Sequence, residues 1–141
     1  MTTEQLAKIQ WLNRAFHAEK NYKAWLAKLE RDQSIAERLT RSGDGTGKTS
    51  ENSTETALIQ LAETKRRTQA RLRELLQVRE EITAVIQAIP DLDAQTILIR
   101  HYLAYETFEQ IAEKMHYSTR TIHYKHKSAL DKICIELQSE K

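Results

Sequence analysis

Apolar residues recur along this chain at intervals of three and four, the spacing that gathers side chains onto one face of an α-helix. From about Glu4 to Leu39, the residues Leu6, Ile9, Leu12 and Phe16 form one stripe. Tyr22, Trp25, Leu26, Leu29, Ala36 and Leu39 continue it on a shifted face. Charged residues fill the other side, which predicts a long amphipathic helix over residues 1–39, with Trp11 and Trp25 as packing residues. A second long helix is predicted over residues 55–90. Heptads written from Leu58 place Leu58, Leu61, Lys65, Thr68, Leu72, Leu75, Arg79, Ile82, Ile86 and Ile89 on one seam. Seven of these ten are apolar, a coiled-coil-like pattern that Lys65, Thr68 and Arg79 interrupt. The two long helices can fold back as a hairpin or pair with another chain, and the pattern leaves both open.

Between them, residues 40–54 carry no large apolar side chain, and ten of the fifteen are Ser, Thr or Gly. A flexible linker is expected there. It includes Gly47-Lys48-Thr49, which superficially resembles a phosphate-binding loop. Such a loop needs glycine five residues before the Gly-Lys pair, where this chain has Ser42, and a buried strand before it, where this chain has a charged helix.

Pro90 ends the second helix. Residues 91–141 then read as a three-helix domain. Its first helix, Asp91 to Leu103, has Asp91 or Asp93 as cap and turns Leu92, Ile97, Leu98, Tyr102 and Leu103 inward. The next begins at Phe108, because Thr107 and Gln110 have the spacing of a capping box, and it repeats Phe108, Ile111, Ala112 and Met115. After the short break His116-Tyr117-Ser118, Ser118 caps a helix that carries Ile122, Ala129, Leu130 and Ile133 inward. Two helices joined by so short a turn must cross steeply, and Ala112 is the small residue at the crossing. This is the layout of a helix-turn-helix. His116 stands where such turns often have glycine, a position that tends to be left-handed. Lys125 stands where the second helix is usually apolar, and its stem can lie along apolar surface. Ile135 and Leu137 follow before the tail ends in Gln138-Ser139-Glu140-Lys141.

The outer face of that second helix offers Ser118, Thr119, Arg120, His123, Tyr124 and Lys127. All can hydrogen-bond and none is acidic, which suits a DNA major groove. Arg120 is the candidate base contact, because guanidinium bonds guanine bidentately. His123 and Tyr124 are candidates for bases or sugar-phosphate, and Lys125 and Lys127 for phosphates. Thr121 completes the first turn, and Thr107 begins a helix whose backbone N–H groups can hold a phosphate.

Composition agrees with an all-α, water-soluble chain. Of 141 residues, 30% are charged and 40% hydrophobic, and the three glycines all lie within the linker. The single cysteine, Cys134, excludes an intrachain disulfide and fits a reducing, cytoplasmic setting. No signal peptide or membrane-spanning run is present, so no membrane partner is expected. A net charge of +2 is too small to argue for nucleic acid, but its distribution is informative. Residues 91–141 hold seven Lys and Arg against eight Asp and Glu, yet Ser118 to Ser128 hold Arg120, Lys125 and Lys127 and no acid. That is a local basic face on a nearly neutral domain. Lys65, Arg66, Arg67, Arg71 and Arg73 form a second basic cluster, read chiefly as a solvated helix face. His123-x-x-His126 with Cys134 does not make a metal site, because Cys134 lies two turns away and no carboxylate joins them. No catalytic triad or acidic metal cluster occurs, so no enzyme, cofactor or metal is expected.

The segment from Ile89 to Ile133, with Phe108–Met115, Ser118 and Ala129-Leu130 in their places, resembles region 4 of bacterial sigma factors, the part that reads the promoter −35 element. The whole plan is similar to the ArpU/RinA-like phage transcriptional regulators, which join a helical region and polar linker to a C-terminal sigma-like helix-turn-helix. The motif-bearing likeness covers about the last third of the chain, and the remainder matches in layout. Sigma factors usually carry Arg at the positions of Thr121 and His123 and Gln at that of Tyr124, so the −35 preference does not carry over. The resemblance implies a phage or prophage regulator of late genes, acting in a bacterial host on double-stranded DNA. Host RNA polymerase is a candidate partner, and the long helices are a candidate route to a homo-oligomer. The competing reading is a DNA-packaging protein of the small terminase subunit type, which also joins a helix-turn-helix to a coiled coil but generally places the DNA-binding part first.

Overall fold

The computed structural model describes residues 1–41 and 48–135 and is all-α, with no strand among the described residues. The helices are α1 (Thr3–Leu12), α2 (Arg14–Arg41), α3 (Lys48–Gln87), α4 (Leu92–Leu98), α5 (Phe108–Met115) and α6 (Thr119–Lys132). A π-helical turn, Ile99–Leu103, extends α4. No helix among the described residues is long and apolar enough to cross a membrane.

The chain forms two compact units. The first joins Met1–His17 to Leu76–Lys141, and the second is Ala18–Leu75. The first unit is thus wider than the expected 91–141. Its main core joins Leu12 and Ala15 from the N-terminal helices, Ile82 and Ile86 from α3, and Ile89 just after it to Ala94, Leu98, Tyr102, Ala129, Leu130 and Ile133. A second cluster, Ile97, Ile111, Ala112 and Ile122 with Phe108 and Met115 against it, holds α4, α5 and α6 together. The physical reason is that α6 is apolar on two sides. Ile122 faces α5, whereas Ala129 and Leu130 need cover that residues 91–135 do not themselves supply.

The expected 1–39 helix is interrupted at Asn13. Arg14 Nε takes the Trp11 carbonyl at 3.0 Å, and its guanidinium lies over the Trp11 ring at 4.5 Å. A side chain bonded into the carbonyl ladder is a recognised cause of such a break. The inward face of α1 is also one residue off the expected stripe. Leu6 is exposed, as is Phe16 in α2, whereas Gln5 and Lys8 are buried beside Leu12. Lys8 donates to the Leu130 carbonyl at 2.9 Å and Gln5 donates to Asp131 at 2.9 Å, so α1 seats on the end of α6 through polar contacts.

The helices also extend into the 40–54 segment: α2 runs to Arg41 and α3 begins at Lys48. The remaining 42–47, with all three glycines, and the tail 136–141 lie outside the described residues. In the second unit α2 and α3 form an antiparallel hairpin. Thr64 donates to Asp32 at 2.6 Å, Lys28 reaches both, and Thr68 donates to the Trp25 carbonyl at 3.3 Å. The seam of α3 follows the heptads from Ile86 back to Thr68 and then drifts towards the N-terminus of the helix. Thr64 is buried where Lys65 was expected, and Leu58 is exposed. A straight helix has 3.6 residues per turn, so a 3.5-residue stripe rotates off the contact line over several turns. In the basic cluster, Arg66 and Arg67 pair with Glu63, and Arg71 pairs with Glu74.

Candidate nucleic-acid interface

Local signals build the α5–α6 element. Thr107 accepts from the Gln110 N–H at 3.1 Å, and Gln110 Oε1 accepts from the Thr107 N–H at 2.8 Å, completing the capping box. His116 ends α5 in the left-handed conformation, φ 62° and ψ 39°. The next N–H, that of Tyr117, reaches back to the Ala112 carbonyl at 3.0 Å. Ser118 caps α6 by accepting from the Thr121 N–H at 3.1 Å, and its hydroxyl donates to Thr121 Oγ1 at 2.9 Å. Ala112 is buried between the two helices.

Arg120, His123, Tyr124 and Lys127 fall at i, i+3, i+4 and i+7 on α6 and are all exposed, Tyr124 at 75%. Arg120 and Lys127 make no hydrogen bond or ion pair among the described residues. His123 packs against Phe108, with ring centroids 4.6 Å apart. Ser118 and Thr107 are exposed, and Thr119 and Thr121 are half-buried. The Ser118 and Thr121 hydroxyls already serve the cap.

Lys125 differs from the rest. It is half-buried, its ammonium lies 3.5 Å from Asp93 on α4, and it sits over the Tyr117 ring at 5.1 Å. The Tyr117 hydroxyl donates to the same Asp93 carboxylate at 2.7 Å, which raises the Tyr117 pKa. A lysine at a normally apolar position is therefore accommodated by an aromatic face and a carboxylate. Asp91, which caps α4, also takes Lys132 at 3.0 Å, and the two interactions hold its carboxyl below the usual range. These two pairs tie the middle and the C-terminal end of α6 to the start of α4.

One acidic group near the element is already matched, whereas Glu109 and Glu113 of α5 are exposed. Glu106 accepts from Lys114 at 2.7 Å and from Arg100 at 3.2 Å, which lowers its pKa. Behind α6 lies a histidine-rich interior. His126 is 3% exposed, and its Nε2 meets the Tyr102 hydroxyl at 2.7 Å. Burial pushes its pKa down to about 4, with His101 and His123 adding to the shift. His101 stacks on Phe108 at 4.1 Å and donates from Nδ1 to the Glu106 carbonyl at 2.8 Å. Burial lowers its pKa too. His123 and His126 thus have different surroundings despite their spacing. Among the described residues no group of three or more His, Cys, Asp or Glu is placed to hold a metal ion. The buried role of His126 was not readable from its spacing. Its one signal is that position 126 continues the inward face set by Ile122 and Ala129.

A family model described as "Protein of unknown function (DUF1492)" matches residues 43–134, well over half of the chain. The match covers α3 through α6 and leaves out α1 and α2. No curated protein and no solved structure matches the chain.

Proposed function

The chain belongs to DUF1492, and we propose that it is a sequence-specific binder of double-stranded DNA, with α6 in the major groove, that regulates transcription. The observation that carries this reading is the outer face of α6. Arg120, His123, Tyr124 and Lys127 share it, all are exposed, none is acidic, and both cations are unengaged among the described residues. A helix entering the major groove from the second position of a helix-turn-helix presents such a set to base edges and phosphates. Arg120, in the first turn, is assigned a base contact. His123 and Tyr124 are assigned to bases or sugar-phosphate, and Lys127, two turns on, to the backbone. Lys125 serves as a rim contact, because Asp93 offsets part of its charge. Ser118, Thr119, Thr121 and Thr107 contribute helix starts whose N–H groups favour phosphate. The resemblance to sigma region 4 and to ArpU/RinA-like regulators adds the biological setting, activation of phage or prophage late genes alongside host RNA polymerase.

The test is a binding titration on operator and scrambled DNA at several salt concentrations. Arg120→Ala is expected to cost about 1–3 kcal/mol on the operator and to relax base preference. Lys127→Ala is expected to weaken both DNAs alike and to flatten the salt slope by about one unit. If neither substitution alters binding to either DNA, α6 is not in the groove and the reading fails.

A further inference from the structure

Where the break between α1 and α2 meets the turn before α5, the first unit forms a cleft of about 320 Å³. Residues 13–17 line one side and residues 101–107 the other. The volume is that of a small-molecule site, and such sites are walled by aromatic and apolar side chains with a few polar groups. Three departures from regular helix converge on it. The chain breaks at Asn13, the π-turn carries His101 and Tyr102, and Tyr105 has φ 61°. A bulky residue at positive φ is rare, and single π-turns are frequent at functional sites.

The lining is of two kinds. Phe16, His101, Tyr102 and Tyr105 supply ring surface. Polar atoms on three of these rings are held elsewhere. The Tyr105 hydroxyl bonds Arg79 and the Ala15 carbonyl, the Tyr102 hydroxyl meets His126, and His101 Nδ1 meets the Glu106 carbonyl. The Phe16 ring meets Tyr105 edge-on at 5.6 Å and stays 41% exposed, so ring surface remains uncovered. The second kind is polar and uncommitted. The Asn13 amide and the His17 ring nitrogens make no hydrogen bond among the described residues. Thr107 Oγ1 accepts from the Gln110 N–H and has its own proton to give. No Lys or Arg lines the cleft to hold a phosphate, and its one carboxylate, Glu106, already takes Lys114 and Arg100.

We propose that this cleft binds a neutral, planar nitrogen heterocycle, a nucleobase or nucleoside. The rings take its face, as aromatic side chains do for unstacked bases. The Asn13 amide sets a donor beside an acceptor, which matches the donor–acceptor edge of a base. A hydrocarbon would strip water from Asn13 and Thr107 without replacing it. A charged aromatic ligand would find no free counter-ion. The proposal does not rest on DNA binding by α6.

The experiment is calorimetric titration of the full chain with adenosine, guanosine, cytidine and uridine, with benzoate and benzylamine as charged aromatic comparators. At least one nucleoside should bind saturably at one site per chain, and more tightly than either comparator. On the isotope-labelled chain, that nucleoside should shift the backbone amide resonances of residues 13–17 and 101–107 most. Phe16→Ala should raise its Kd at least ~10-fold through lost stacking. Asn13→Ala should raise it by a similar factor of ~10 through the lost amide pair. Phe16→Tyr keeps the ring and should keep binding. Phe16 is exposed, so its variants test the site without opening the core, and circular dichroism melts confirm the fold of each. No saturable binding of any nucleoside up to its solubility, a comparator that binds as tightly, shifts centred elsewhere, or unchanged affinity in both alanine variants would each overturn the proposal. DNA enters none of these measurements, so their outcome is separate from that of the α6 test.

Discussion

At the scale of single residues, His126 sets a pH limit on stability. Its imidazole is buried and neutral, and it satisfies the Tyr102 hydroxyl. Its pKa is about 4 in the fold against 6.5 for the free group. A base with a lower pKa when folded binds protons more readily when unfolded, so acid favours unfolding. The stability is complete above about pH 6.5 and is lost progressively as pH falls towards 4, by roughly 3 kcal/mol. His101 shifts in the same direction and adds to the slope. Urea midpoints measured from pH 7 to pH 4 should fall across that window. His126→Phe should flatten the fall while lowering stability at neutral pH, because it strands the Tyr102 hydroxyl. An unchanged slope in that variant would locate the acid sensitivity elsewhere.

At the scale of elements, two non-glycine residues hold left-handed backbone, and their side chains make opposite predictions. His116, at φ 62°, is exposed and ends α5. Replacing it with glycine removes the Cβ strain and loses no recorded contact, so His116→Gly should stabilise by about 1 kcal/mol. Tyr105, at φ 61°, has the same backbone but holds structure together. Its hydroxyl donates to the Ala15 carbonyl at 3.3 Å and accepts from Arg79 at 3.1 Å, and its ring meets Phe16 edge-on. Tyr105→Gly should therefore destabilise by about 1–3 kcal/mol, since both hydrogen bonds and the ring contact are lost. Thermal melts of the two variants should move in opposite directions. Arg79, an interruption of the heptad seam, has its purpose here: it also donates to the Leu103 carbonyl at 3.2 Å, joining α3 to the π-turn.

At the scale of the molecule, the unit containing the helix-turn-helix is discontinuous in sequence. Leu12 and Ala15 are fully buried against residues from α3 and α6. Lys8 occupies the C-terminal end of α6, where a cation and the last carbonyls attract. The region matched by the family model, residues 43–134, omits these contributors. Leu12→Ala should cost about 2–5 kcal/mol, the range for truncating a buried leucine. Removal of residues 1–17 should lower the melting temperature of the α4–α6 region far more than loss of an ordinary terminus. Circular dichroism melts of both against the full chain provide the check, and a truncated chain that melts unchanged would show that α1 is dispensable.

What could be read from the sequence was local. The all-α class follows from the spacing of apolar residues and the confinement of glycine to one loop. The Thr107–Gln110 box, the Ser118 cap, the left-handed His116, the inward Ala112 and the exposure of Arg120, His123, Tyr124 and Lys127 are all settled within a turn or two of the chain. Short-range geometry dictates them, and no distant partner changes it. What the tertiary structure alone decided is which polar residues go inside. Lys8 is buried because a carbonyl 122 positions away needs a donor, and Thr64 displaces Lys65 because Asp32 lies across the hairpin. His126 is enclosed because Tyr102 and the rings around Phe108 close over it. A polar side chain favours water until a specific partner replaces that water. Such partners come from elements far apart in the chain, and a periodicity read along one element does not contain them.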